Sequence, residues 1–470
     1  MMRSFTPSLI KRDTLKKFVA RLFGRSGKTR RNGVVLDAKK YGIRRELISA
    51  GSLRTVETLQ QRGYHAFIVG GAVRDLLVGE RPKDYDVATD ATPEEVRQCF
   101  RRSRIIGRRF QIVHVMMGSE TVEVTTFRGH QSGGSKAPTD SHGRLLRDNV
   151  FGSHKEDAAR RDFTINALYF DPVAETIVDF HDGVADLKEK RLRTIGDAGT
   201  RYREDPVRML RGVRLAAKLG FSIDPDARKP LRELAPLIGN VPSARLMDEV
   251  LKLLMSGRAV DCLENLRSEG LHKALLPLLD SSLDDLRGER FIRAALLNTD
   301  QRVRDKKPVS PAFLFGAMLW HEVLNEWETL KNAGEAPFPS LFQAMNSVLD
   351  HQADKLAITR RVAGDIRDIW SIQPRFEQRS GKRPYALIER SRFRAAYDFL
   401  LLRVESGDVP AEVGRWWTDF LDGDAALRAE MLSSSPVGER PRRRRRRRRS
   451  ATPADRPESV ESTESADSVD

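Results

Sequence analysis

The stretch that constrains this chain most runs from Phe67 to Asp86, FIVGGAVRDLLVGERPKDYD. An apolar run breaks on two adjacent glycines, an arginine follows, and two aspartates stand one residue apart. His65 to Val69 read as a short strand. After the glycines, Ala72 to Val78 resume with helical spacing until Gly79 and Pro82 end it. Tyr85 to Thr89 read as the next strand. Residues i and i+2 of a strand face the same side. Asp84 and Asp86 therefore project together, with Tyr85 and Val87 on the opposite face.

Two carboxylates this close repel each other. A hard divalent cation such as Mg²⁺ removes the conflict, because it takes one or two carboxylates plus substrate phosphates and keeps several waters. Two such ions can hold the attacking and leaving oxygens of an in-line phosphoryl displacement. Alone, the pair is a weak signal and reads first as a solvated strand edge near a turn. The glycines add weight to the metal reading. Gly70 and Gly71 leave backbone N–H groups open to phosphate oxygens at a helix start. Arg74, one turn in, can fork onto phosphate, with Asp75 orienting it or capping. Neither a P-loop nor a dinucleotide-binding glycine pattern is present.

The rest of the chain narrows the class. With 470 residues, several domains are expected. Cys99 and Cys262 are the only cysteines, too few for a disulfide framework or a Cys-based zinc site. His154-Lys155-Glu156 has no CxxC to complete a deaminase-type site. No apolar run is long enough for an integral membrane segment. A cytoplasmic protein is expected. The net charge is +16, and nine arginines crowd into Arg440 to Arg449. Such a run reads as disordered when free, either a solubility tail or a clamp for a polyanion, with nucleic acid first. The basic first residues read as a solvated, partly helical arm or a targeting presequence.

Along the chain, Glu46 to Gln61 reads as an amphipathic helix stopped by Gly63. Pro93 opens another helix. Ile112–Met117 and Thr121–Phe127 read as a hairpin. Arg128 to Arg144 is Gly/Ser-rich loop. Helical spacing dominates after Asp157, apart from a hairpin at Ala167–Asp179. The five tryptophans, all in the last third, read as core anchors of a separate helical domain. The fold expected is an α/β head with a small, largely antiparallel sheet, followed by all-α neck and body domains, with disordered termini.

Three further blocks point to a family. RRDFTINALYF runs from Arg160 to Phe170, DGVADLKEKRLRTIGD from Asp182 to Asp197, and RYREDPVRMLRGVRLAAKLGF from Arg201 to Phe221. With GGAVRD and DYD, these blocks resemble the class II nucleotidyltransferases, the tRNA CCA-adding enzymes and bacterial poly(A) polymerases. The resemblance runs from about Val35 to Leu279. Read physically, Asp205 is an N-cap with Pro206 at the first helical position, and Arg208 and Arg211 follow on one face. The resemblance implies that Asp205 and Arg208 read the edge of the incoming base. It implies a triphosphate or base contact for Arg211, with Arg214 continuing the face. It also places Arg161 near nucleotide. A plain reading makes Asp162 the N-cap of Phe163–Leu168. The resemblance makes it the third active-site carboxylate, a general base or metal ligand beside Asp84 and Asp86. Glu123 competes for that role, because its strand can lie beside them.

The stretch from Pro82-Lys83-Asp84 to Pro93 is similar to the poly(A) polymerase version, and the arginine run resembles the basic tails of that branch. The expected activity is template-independent addition of AMP from ATP to RNA 3′ ends, with Mg²⁺ bound. The alternatives are a CCA-adding enzyme and a catalytically silent RNA-binding protein. Arg442, Arg443, Arg444, Arg445, Arg446, Arg447, Arg448 and Arg449 would grip RNA. RNA-decay or RNA-chaperone proteins are candidate partners, and a monomer is expected. The expected division is 1–34 arm, 35–170 catalytic head, 171–280 neck, 281–433 C-terminal helical domain and 434–470 tail.

Overall fold

A computed structural model describes residues 33–107, 111–129 and 150–433. Eight strands form the head sheet: β1 Val34–Asp37, β2 Ala66–Val69, β3 Asp86–Thr89, β4 Ser103–Ile106, β5 Ile112–Met117, β6 Glu120–Thr126, β7 Leu168–Asp171 and β8 Thr176–Asp179. Their order is β1-β8-β7-β2-β3-β6-β5-β4. Only β3 and β6 pair in parallel; every other neighbour is antiparallel. The sheet continues through Asp179, so it extends beyond residue 170, where the head was expected to end.

Side-chain alternation sorts the two faces of the sheet. Ile68, Val87, Val113, Val115, Val122 and Val124 pack into one core, with Val56 and Leu59 of the helix Ala50–Gln61 and Val73 of the helix Gly71–Leu77. Phe67, Val69, Ala88 and Tyr169 face the other way. The first helix starts four residues later than its periodicity suggests. Arg45–Leu47 form a single 3₁₀ turn, Ile48 is extended, and Ser49 caps the helix from Ala50. Glu120, at the tip of the β5–β6 hairpin, fixes that start by accepting from Ser49 Oγ, Gly51 N–H and Ser52 Oγ. Phe163–Leu168 is not a helix. A 3₁₀ turn at Thr164–Asn166 leads directly into β7.

Past Asp197 the described chain is helical, apart from a two-residue strand pairing Ser222–Ile223 with Arg191–Leu192. One continuous buried cluster runs from Ala198 to Phe420. The expected neck and C-terminal domain thus share a hydrophobic core. Trp320, Trp370 and Trp417 are buried in it, whereas Trp327 and Trp416 only pack against it. Trp370 and Trp417 donate their indole N–H to the carbonyls of Gly316 and Phe376. Among the described residues no helix is long and apolar enough to cross a membrane.

Candidate active site

The two aspartates sit where the sheet leaves its core. Tyr85 and Val87 are buried in the head, and Asp84 and Asp86 are exposed on the other side. β3 and β6 pair with Val87 opposite Val124, which brings Asp86 alongside Glu123. Glu123 faces away from the core because its neighbours Val122 and Val124 are buried. Its second neighbour is His114 on β5, 3.4 Å away. The rim around Asp86 is open to solvent, but the surrounding protein mass withholds much of its hydration. That desolvation, together with the carboxylates of Glu123 and Asp84, pushes the Asp86 carboxyl up to about 6 against the pull of Arg161.

Arg161 joins this acidic group to the glycine turn. Asp157 and the Tyr169 hydroxyl accept from its guanidinium at 3.0–3.3 Å, and the Tyr169 hydroxyl donates to Asp157 at 2.6 Å. Its other end faces Gly70, where a Cβ would lie 3.3 Å from Nη1. Gly70 has φ 73° and ψ −127°, a conformation that L-residues avoid. Gly70 and Gly71 therefore turn the chain at the end of β2 beside a fixed cation.

Arg74 is oriented by Asp75, one of the two roles expected of that residue. It is buried, with Asp75 accepting from Nε and Nη2 and Asn166 accepting from Nη1 at 2.6 Å. Asn166 in turn donates to Asp162 at 3.0 Å. Asp162 also accepts from its neighbour Phe163 N–H and faces Arg211 at 2.9 Å. Burial alone would raise the Asp162 carboxyl, but Arg211, Asn166 and the Phe163 N–H hold it below its usual range. Lys218, on the same helix as Arg211, reaches Asp75 at 3.6 Å. A closed polar circuit thus ties the helix after the glycines to the helix Val207–Leu219. Asp162 belongs to that circuit, and its partners differ from those of Asp86.

The helix Val207–Leu219 starts on Asp205 and Pro206. Asp205 is extended and Pro206 already helical, and the Asp205 carboxylate accepts from Val207 N–H at 3.4 Å. Asp205 also forks onto Arg245 at 2.8 and 2.6 Å. Arg208 donates to the Arg201 carbonyl and to Glu204, both at 2.8 Å. Arg214 faces Glu249 at 3.8 Å. Arg245 and Glu249 lie on the helix Ser243–Leu254 and were missed from sequence, because nothing local links them to a helix some forty residues earlier. Arg442 to Arg449 lie outside the described residues.

Among the described residues, no group of three or more His, Cys, Asp or Glu side chains forms a ready metal cage. The hard oxygen donors and raised carboxyl at Asp86 nevertheless fit a cation that completes its shell with water and phosphate.

Residues 66–193 match the model of the poly A polymerase head domain. Residues 220–283 match the probable RNA and SrmB-binding site of polymerase A. Residues 333–450 match the polymerase A arginine-rich C-terminus. Poly(A) polymerase I of Salmonella typhi is 44% identical over 420 residues, covering 87% of this chain and 90% of its own. A CCA-adding enzyme of Geobacillus thermodenitrificans is 36% identical over 244 residues, covering 52% of this chain and 57% of its own. The solved CCA-adding enzyme of Bacillus stearothermophilus, in complex with CTP, has a TM-score of 0.54 at 26% identity and covers 82% of each chain. The chain belongs to the poly(A) polymerase family.

Proposed function

We propose that this chain is a template-independent RNA adenylyltransferase that adds AMP from ATP to RNA 3′ ends and releases pyrophosphate. The observation that carries the reading is that Asp86 at the start of β3, Glu123 on the neighbouring β6 and Asp84 just before β3 act on one another beside the Gly70-Gly71 turn that follows Val69, the partner of Asp86. The extent of the relatives favours poly(A) addition over CCA addition. The poly(A) polymerase relatives cover 87% of this chain, and the curated CCA-adding relatives 49–58%.

In this reading Asp84 and Asp86 hold Mg²⁺, which supplies charge for the triphosphate and lowers the pKa of the attacking hydroxyl. Glu123 is the third carboxylate, ahead of Asp162, because it borders Asp86 while Asp162 is committed to Arg211. The RNA 3′ oxygen bonds to the α-phosphorus, the bond to the β-phosphate oxygen breaks, and the hydroxyl proton leaves toward the carboxylates. Gly70, Gly71 and Arg161 line the triphosphate side. Arg74 holds the turn through Asp75 and Asn166. Asp205 and Arg208 read adenine, and Arg211 and Arg214 fix the helix that carries them. The setting is the cytoplasm, where ATP and RNA ends meet.

The test offers ATP or CTP with either unstructured RNA or tRNA lacking its terminal CCA. Runs of AMP on unstructured RNA are expected. Incorporation of CMP confined to the truncated tRNA would establish the CCA-adding alternative, and no incorporation at all would leave only RNA binding.

A further inference from the structure

Residues 360–394 hold ten Arg or Lys against four Asp or Glu. They span the helix Arg360–Ile372, the turn Gln373–Glu377, the helix Arg383–Ile388 and the start of Phe393–Glu405. The excess lies beside two exposed aromatic side chains, Phe338 and Tyr385, and beside Trp416, which is partly buried against the core. Arg375 lies over the Phe338 ring at 5.4 Å, and Arg379 lies over Trp416 at 5.9 Å. Trp416 stacks on Phe420 at 4.9 Å and an interplanar angle of 10°, and Phe420 meets Tyr385 at 5.4 Å. Phe338 and Tyr385 remain 41% and 40% exposed. Arg390 adds charge beside Arg375; burial and this neighbour together depress the Arg375 guanidinium. Glu412, 3.6 Å from Arg379, offsets part of the charge.

Planar faces interleaved with guanidinium groups fit a flexible polyanion that carries planar rings of its own. Single-stranded RNA has that chemistry: phosphates for the arginines, and unstacked bases for the aromatic faces. An acidic protein surface would answer the charge but leave the rings uncovered. A duplex would keep its bases stacked inside. We infer that the face formed by Phe338, Arg375, Arg379, Tyr385, Arg390 and Trp416 is a binding surface for single-stranded RNA upstream of the 3′ end. The inference rests on the proposed RNA substrate but concerns a different part of the chain. The face lies outside residues 220–283, which match the RNA-site model, and far in sequence from the carboxylates. Its helix Ala411–Asp422, which carries Trp416, comes shortly before the arginine run of residues 440–449.

The test uses the full chain and oligoadenylates of about six and about thirty nucleotides, below and above the site size of typical single-strand binders. One variant combines Arg375→Glu, Arg379→Glu and Arg390→Glu. A second, Phe338→Ala with Tyr385→Ala, keeps every charge and removes only exposed rings. Binding is titrated at several salt concentrations, and melting curves confirm that each variant is folded. The charge variant is expected to weaken binding of the long oligomer at least about tenfold. Its log–log salt slope should flatten by about 2, for roughly three phosphates released. The ring variant should weaken the same binding about tenfold with little change of slope. Single AMP addition to the short primer should keep the parent rate in both. Parent-like affinity and slope in both variants would overturn the inference while leaving the polymerase reading intact. A parent protein that neither binds RNA nor adds AMP would overturn the polymerase reading instead.

Discussion

Asp162 Oδ2 stands 2.9 Å from Arg211 Nη2, joining the turn before β7 to the helix that carries Arg208. The carboxylate is 5% exposed and Arg211 38%, so removing Asp162 leaves the Asn166 amide and the Phe163 N–H without their acceptor and an arginine that water can partly reach. Solvent at Arg211 keeps the loss below that of a fully buried pair, at about 1–2 kcal/mol. Asp162→Ala is therefore expected to lose stability along with activity. Asp86→Asn should abolish AMP addition and leave stability unchanged or slightly higher, because it relieves repulsion with Asp84 and Glu123. Urea melts beside incorporation rates check both. A stable Asp162→Ala that fails only in catalysis would return Asp162 to the catalytic carboxylates.

Gly70 and Gly71 should respond differently to alanine. Gly70 sits at φ 73° and ψ −127°, and a methyl group there would also crowd Arg161. The backbone strain alone costs about 1–3 kcal/mol. Gly71 has no such backbone demand, and its Cβ would meet Arg74 Nη2 at 3.4 Å, an ordinary contact. Gly70→Ala is expected to lower Tm clearly. Gly71→Ala should keep Tm close to the parent and raise KM for ATP, by blocking the approach of phosphate to the turn. Equal Tm values for the two variants would contradict the assigned strain.

The sequence exposed what is periodic and local. The alternation around Tyr85 and Val87 left Asp84 and Asp86 exposed, although β3 begins only at Asp86, and the spacing of Val122, Glu123 and Val124 put Glu123 outward. What it hid are pairings over long separations. Ser49 as the true cap is fixed by Glu120, which lies 71 residues on. Arg74 bonds Asn166 across 92 residues, and Asp205 holds Arg245 across 40. An arginine on a helix face looks the same in sequence whether it will grip a substrate phosphate or a carboxylate of its own chain. The shared core of neck and C-terminal helices was hidden for the same reason. Amphipathic helices announce a buried face, but not which neighbour covers it.

Base choice should depend on Arg245 as well as Arg208. Arg245 fixes the Asp205 carboxylate through two hydrogen bonds, while Glu204 and the Arg201 carbonyl hold Arg208. A site that pairs with a base edge rejects analogues because mismatched groups stay unpaired, at about 1–3 kcal/mol per group. Arg208→Ala is expected to cut kcat/KM for ATP more than for CTP or GTP. Arg245→Ala should narrow the same ratio less steeply, by loosening Asp205. Uniform losses across all three nucleotides would mark Arg208 as a phosphate contact.

Two histidines give the head a dependence on acid. His154 packs against Phe67 and Phe127 at 4.5 and 4.9 Å, edge-on to Tyr169 and Phe180. Burial lowers its pKa to about 4, and burial with Arg193 does the same for His181. A depressed histidine makes the folded state bind fewer protons than the unfolded chain. Stability is therefore fully present above the unfolded pKa of about 6.5 and falls as pH drops from there toward 4, by about 1.4 kcal/mol per pH unit for each histidine. Asp86 acts with the opposite sign: its carboxyl, raised to about 6, costs stability above that pH and recovers it as pH falls toward the ordinary carboxylate range. Burial raises the Asp179 carboxyl in the same sense, against the N–H groups of Val184, Gly183 and His181. The histidines begin to lose stability at about pH 6.5, before Asp86 begins to recover it, so Tm is expected to drop between pH 7 and pH 5. His154→Phe keeps a ring in the aromatic box and removes its titration, so its Tm should fall less over the same interval. Asp86→Asn removes one opposing contribution, so its Tm should fall more than the parent's. A parent Tm that stays level from pH 7 to pH 5, with His154→Phe indistinguishable from it, would mean that His154 takes up its proton without leaving the box.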